Sequence, residues 1–339
     1  MGITAYSEEI KLPICNTPLI NNFIPGLQFS VWQACKYDLS PIIYSNYTNV
    51  VSGVDWRVLC THVQDDMWLE KAKVMRRQHM TLHRDTYEYS PEKLILLIIK
   101  FISQGYYLTG NHNAFYVPGK QSYHCYNTDA VYLIYGYNDK RKIFYIIGKT
   151  KNCNLEAYEI KYEDYVLSLF NRNKGLFNLI FYKYNDEIKV KPNYSKMHNG
   201  IYDYVHSTSR ERGVFPQGSA RNYIYGMDCY REFAKQLTIM HEHRKYIEPS
   251  SYSVLYEHHI LMQKRIEFLI SEGVIPNEVI FDAYHEILVM AEQINSNISL
   301  YNESFNPSLI KQIYTDVEYI IENESIILNN LLVFIKQAV

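Results

Sequence analysis

The sequence predicts an α+β fold: a domain on an antiparallel sheet, then an antiparallel bundle of helices. Three observations carry this. Short strand-like runs alternate with helical patterns from about residue 30 to 190. Sustained three- and four-residue apolar spacing fills the chain from about 220 to its end. Between them, "TSRERGVFPQGSAR" (208–221) is polar and contains Gly and Pro, as a domain boundary does. We therefore expect an α+β domain over 1–207 and a helical domain over 220–339.

The elements follow in order. Ser90 precedes Pro91 and Glu92, which together form a helix start, and the helix "EKLILLIIKFIS" stops before Gly105. "YYLTG" reads as a strand. "VYLIYGYNDKRKIFYIIG" (131–148) reads as two strands around a polar turn, apolar on both faces and so central in the sheet. "LEAYEIK" (155–161) is a further strand. "EDYVLSLF" begins a helix that ends by Gly175, and "LFNLIFYKY" returns to strand. In the second half, four apolar faces are legible: Tyr223–Met240, Leu255–Leu269, Ile280–Ile294 and Ile310–Phe334. Short connections between them suggest an antiparallel bundle. His259 and Glu324 both fall on these apolar faces. Glu324 is a buried functional acid or, as such a residue more often is, one that sits at a frayed edge or pairs with a neighbour.

Composition narrows the function. A net charge of −2 argues against nucleic acid, because phosphate binding needs a basic surface. Tyrosine, at 33 against 14 phenylalanines, suits half-wet surfaces such as a ligand cleft, although AT-rich coding also favours it. None of the six cysteines forms a C-x-x-C pair, so structural zinc is not expected. They are scattered, unlike a disulfide scaffold. "MGITAYSEEIKLPIC" has no basic-then-apolar leader, and Tyr6 stands where a myristoylation signal has Ser or Thr. "LILLIIKFI" (94–102) is too short to span a bilayer. The expectation is a reduced, cytoplasmic protein without membrane or nucleic-acid partners.

Chemistry centres on "CKYDLSPIIYS" (35–45). This places Cys35 at or near a helix N-terminus, where unpaired N–H groups and the dipole lower a thiol pKa. The competing reading is a small core side chain, since free cysteine is often buried. A thiolate catalyst needs a histidine and an orienting Asn or Asp. His62, His112 and His124 are the sheet-side histidines, and His124 has Asn127 and Asp129 within a few residues. "HEHRK" and "EHH" lack the i, i+4 pairing of a helical metal site, so no metal is expected. No glycine-rich phosphate loop or G-x-S-x-G elbow occurs.

"ACKYDLSPII", "GYYLTGNHNAFYVPGKQSY", "AVYLIYGYNDKRKIFYIIG" and "EIKYEDY", taken together, resemble the family of butirosin biosynthesis protein H. "YIYGMDCYREF" and "LYEHHILMQKRIEFL" are similar to that family's helical region. The resemblance covers most of the chain. It implies a papain-like fold and acyl transfer in nonribosomal peptide or polyketide biosynthesis. By that resemblance Cys35 is expected to take an acyl group from the phosphopantetheine arm of an acyl or peptidyl carrier protein and hand it to a small-molecule amine. No bound cofactor is implied, and a homodimer is a possible assembly. Cys35 matches the nucleophile position. The family's usual histidine, at about 128–130, is missing here, and Asn113 stands where an Asp is common. The expected catalytic set is therefore Cys35, His124 as base and Asp129. The expected substrate-binding set is Asn113, Tyr116, Tyr126, His258 and Arg265, the last two lying beside an apolar helix face. Two alternatives remain open: a hydrolytic cousin, a cysteine thioesterase or amide hydrolase, and a degenerate binding module that docks carrier or product.

Overall fold

The computed structural model describes residues 6–15, 27, 30–32, 34, 40–53, 61–62, 75–83, 90–150, 155–171, 176–185, 190–208, 223–243, 246–247, 249–276 and 279–339. The chain divides into two compact units. One comprises Met1–Leu39 and Asp66–Lys189, the other Ser40–Asp65 and Val190–Val339. The expected boundaries at 207 and 220 differ from this division, because residues 40–53 and 190–208 contribute to the helical unit's packing.

The first unit is an antiparallel sheet with helices packed on it. Its strands are β1 (Glu9–Lys11), β4 (Met75–His83), β5 (Tyr107–Asn113), β6 (Asp129–Asn138), β7 (Ile143–Lys149), β8 (Leu155–Lys161) and β9 (Leu176–Tyr184). The order is β4-β9-β5-β6-β7-β8. β5 follows β6 only as far as Ile134; β1 then pairs with β6 from Gly136 to Asn138. The expected central hairpin is β6–β7, and each of its strands has partners on both edges.

Strand alternation sorts the sheet into two faces. One carries Leu108, Ile134, Phe144, Ile146, Leu179 and Phe181. Helices α2 (Pro91–Ser103) and α3 (Tyr162–Phe170) cover it. α2 begins as its sequence dictates: the Ser90 side chain accepts from Lys93 N–H, with Pro91 at the first position. On the opposite face, Tyr184 meets the edge of Trp32 at 5.8 Å, and Tyr107 donates to the Pro13 carbonyl at 2.7 Å. Trp32 is helical, as are positions 30 and 31, and is 1% exposed.

The second unit holds α1 (Ser40–Asn46), α4 (Tyr194–Val205), α5 (Asp228–Glu242), α6 (Pro249–Ser271), α7 (Val279–Ser304) and α8 (Pro307–Gln337). A small sheet of β2 (Val50–Gly53), β3 (Thr61–His62) and β10 (Tyr223–Tyr225) joins them. The helical spacing from Tyr223 predicted helix there, and the structure has a strand instead. Gly226 is the reason: its φ of 55° breaks the helical run, and α5 starts at Asp228. A Cβ on Gly226 would collide with the Tyr204 carbonyl. We expect Gly226→Ala to cost about 1–3 kcal/mol, from backbone strain and this clash, read as a lower midpoint in denaturant melts.

Tyrosines contribute to both interiors. Tyr132 and Tyr165 in the first unit, and Tyr204, Tyr252 and Tyr284 in the second, are fully buried, and burial is the first cause pushing each phenol upward. The folded pKa is raised, so the associated stability is present below the unfolded value near 10 and is lost as pH climbs toward the folded value. Each such tyrosine removes about 1.4 kcal/mol per pH unit above pH ~10. The expected result is cooperative alkaline unfolding. Tyrosinate absorbance and loss of circular dichroism should rise together; gradual, independent phenol titration with intact dichroism would contradict it.

Candidate functional site

Cys35 lies outside the described residues. Its neighbours are partly seen. Ala34 N–H donates to Val31 O at 3.1 Å, and α1, the first described helix after Cys35, begins at Ser40. His62 lies in β3 opposite Val50, in the second unit.

The segment around His124 is built from Asn113 outward. Asn113 ends β5 and is buried. Its Nδ2 donates to Asn127 Oδ1 at 2.7 Å and to Asn171 O at 3.0 Å, while its Oδ1 accepts from Phe115 N–H at 3.1 Å. Ala114 N–H donates to Thr128 O at 2.8 Å, so the loop's ends are tied where β5 stops and β6 starts. Inside this loop His124 takes a left-handed backbone with φ 54°. Its N–H donates to Phe115 O at 3.0 Å, and its exposed ring stacks on Tyr123 at 4.0 Å. A non-glycine residue held at positive φ is a strained placement that the surrounding bonds must maintain.

Asp164 on α3 lies within electrostatic reach of the imidazole. Burial and Glu163 hold its carboxyl above the usual range, while Lys161 and His124 draw it back. Asp129 sits exposed at the start of β6, in register with Asn113. Tyr116 is half-buried against Phe115, and Tyr126 is exposed. Five of the expected residues, Asn113, Tyr116, His124, Tyr126 and Asp129, thus lie on β5, β6 and the loop that joins them.

His112 is not available for catalysis on this face. It is 1% exposed, stacked on Tyr132 at 4.0 Å, with Nδ1 3.2 Å from Ser168 Oγ. Ser168 Oγ donates to Tyr165 O at 2.6 Å, so this serine is a core hydroxyl, not a nucleophile.

His258 and Arg265 are fully buried in the helical unit, beyond the reach of a substrate in this conformation. Arg265 donates from Nε to Tyr44 O and from Nη2 to Tyr47 O, both at 2.7 Å. Its guanidinium is spent on the carboxyl end of α1. The apolar pattern indicated the right helix face, but not that these two groups lie beneath its surface.

Sequence reasoning missed a polar cluster in the same unit. Glu324 on α8 accepts from Tyr204 (α4) at 2.8 Å and from Tyr284 (α7) at 2.5 Å. His259 (α6) places Nδ1 3.3 Å from Glu324 Oε1, and its Nε2 lies 2.6 Å from the hydroxyl of Tyr230 (α5). Each of these five helices sends one side chain to the cluster, and all five residues are fully buried. With the proton on Nδ1, His259 donates toward Glu324 and accepts from Tyr230, so the carboxylate and imidazole are satisfied without solvent. The available signal was two ionisable residues, His259 and Glu324, on apolar stripes of different helices.

No protein-family model matches the chain, and the comparison with curated proteins found no match.

Among the described residues no group of three or more His, Cys, Asp or Glu could hold a metal ion. No described helix is long and apolar enough to cross a membrane. A groove of about 870 Å³, walled by Ile95, Leu96, Tyr162 and Leu167, opens between α2 and α3. It lies on the sheet face away from Trp32.

Proposed function

We propose that the chain is a cysteine-dependent acyltransferase with a papain-like first unit, moving an acyl group from a carrier protein's phosphopantetheine arm to a small-molecule amine. The single observation that supports it is His124: an exposed imidazole, fixed in a left-handed backbone on a loop pinned by Asn113, with Asp164 within electrostatic reach. A general base needs this combination of access and fixed placement.

In this reading His124 takes the Cys35 thiol proton. The thiolate attacks the thioester carbonyl, a C–S bond forms to Cys35, and the bond to the pantetheine sulfur breaks. The leaving thiolate takes the proton from His124. The acceptor amine then attacks the acyl-cysteine, His124 removes the amine's proton, and Cys35 recovers it as the C–S bond breaks. Water in place of the amine gives the hydrolytic variant. A second reading, a binding module without chemistry, is favoured by one observation: among the described residues no hydrogen bond orients the His124 ring. The test is turnover. Product should form from acyl-loaded carrier and amine with wild-type protein and not with Cys35→Ala; equal product from both would remove the enzyme reading.

A further inference from the structure

We propose that the groove between α2 and α3 is a binding site for a medium-chain alkyl carboxylate, with its chain between the two helices and its anionic head at their amino ends. The site lies wholly within the first unit and stands apart from the acyl-transfer reading. Its apolar part comes from Ile95, Leu96 and Ile99 on α2 and from Val166 and Leu167 on α3. Ile99 and Val166 are buried, whereas Leu96 is 56% and Leu167 43% exposed. Two leucines left this open in one concavity of about 870 Å³ fit a small-molecule pocket, not the scattered apolar groups of an ordinary surface. From Pro91 to Ile99 the groove follows α2 for about 12 Å, which sets a medium chain length. The recess suits a single chain better than a bilayer face.

The head follows from what is unspent at the charged end, where both helices begin and the β6–β7 turn passes. Acceptors there are mostly committed. Ser90 and the backbone at the start of α2 hold the Glu92 carboxyl below its ordinary range, and Asp139 accepts from Lys142 at 2.9 Å. Arg141 forks onto Glu159, at 2.9 and 2.6 Å. The groups left over are mainly donors. No side chain caps the start of α3, and a helix amino end carries about half a positive charge. Tyr162 lines the groove and is 5% exposed, and its hydroxyl has no hydrogen-bond partner. Burial, and after it the Asp139 carboxylate, pushes that phenol upward, so it stays a donor. Lys161 meets Glu163 only loosely, at 3.5 Å with side chains 68% and 71% exposed, and such a pair yields to a ligand at little cost. A carboxylate head accepts from Lys161, the α3 amino end and Tyr162; an ammonium head finds only Glu163.

The experiment is calorimetric titration of the full chain with octanoate, octanol and octyltrimethylammonium, alongside sedimentation with vesicles of phosphatidylcholine and an anionic lipid. Octanoate should bind one per chain, octanol more weakly and the ammonium most weakly. Leu96→Ser and Leu167→Ser, both at exposed positions, should each weaken octanoate and octanol alike, on the order of tenfold. Lys161→Gln should weaken octanoate severalfold and spare octanol, while Glu163→Gln should tighten octanoate. Tyr162→Phe should weaken octanoate with a melting temperature no lower than wild type, because the lost hydroxyl strands no partner. Wild type that takes up no octanoate at millimolar concentration, or octanoate binding unmoved by both leucine substitutions, overturns the site. Octanoate bound no better than octyltrimethylammonium overturns the anionic head. Binding to the vesicles without binding to octanoate makes the groove a membrane contact and overturns the inference as well. None of these results bears on acylation of Cys35, so the two readings fail separately.

Discussion

Glu324→Ala should destabilise the helical unit by on the order of 3–5 kcal/mol, a large part of the 5–15 kcal/mol that holds a typical domain. The carboxylate is fully buried and takes donors from Tyr204, Tyr284 and His259. Truncation strands all of them at once, and an unsatisfied buried donor costs about 1–3 kcal/mol. In a unit of this size the melting temperature should fall by about 10 °C. Glu324→Gln keeps one carbonyl acceptor and sets an amide N–H against another donor, so its cost should be roughly half. Tyr204→Phe removes a single donor and should cost about 1 kcal/mol. This ranking, by thermal melts of the full chain, is the check. A Glu324→Ala melting point within about 2 °C of wild type would mean that the cluster is not a keystone of the five helices.

His124→Ala should lower acyl-transfer turnover on the order of 10²–10⁴-fold while leaving the apparent affinity for the carrier unchanged, because a base acts in the transition state and not in docking. The acids separate two geometries. Asp164 lies in electrostatic reach of His124, so Asp164→Asn should slow turnover more than Asp129→Asn does. The reverse order would return the orienting role to Asp129 at the start of β6.

Much of the fold was legible because it is local. Ser90, Pro91 and Glu92 state where α2 begins, and the polar turn at Asp139–Lys142 separates two runs that do become β6 and β7. Periodicity located α6, α7 and α8. It failed at Tyr223–Tyr225, where one left-handed glycine outweighs a helical apolar pattern. It could not allot α1 and α4 to the helical unit either, since that depends on contacts such as Ser45 with Asn193, 148 positions apart. Depth was the other blind spot. A 3.6-residue stripe says which way Glu324 and His259 point, not that tyrosines from three further helices meet them. Arg265 looked like a polar residue at the margin of an apolar face; its partners, the carbonyls of Tyr44 and Tyr47, lie more than 200 positions upstream. The His124 loop was readable as a loop. That Asn113 ties its two ends was not, because Asn127 and Asn171 are brought to it only by the folded sheet and α3.

On the proposed function, Cys35 should form a covalent acyl intermediate. Full-length protein mixed with acyl-loaded carrier proteins encoded beside it, quenched in acid and weighed intact, should gain the mass of one acyl group. The gain should be absent in Cys35→Ala and slow to appear in His124→Ala, and addition of the acceptor amine should discharge it. A wild-type protein that binds the loaded carrier and never gains mass, or an adduct that persists in Cys35→Ala, would contradict the claim.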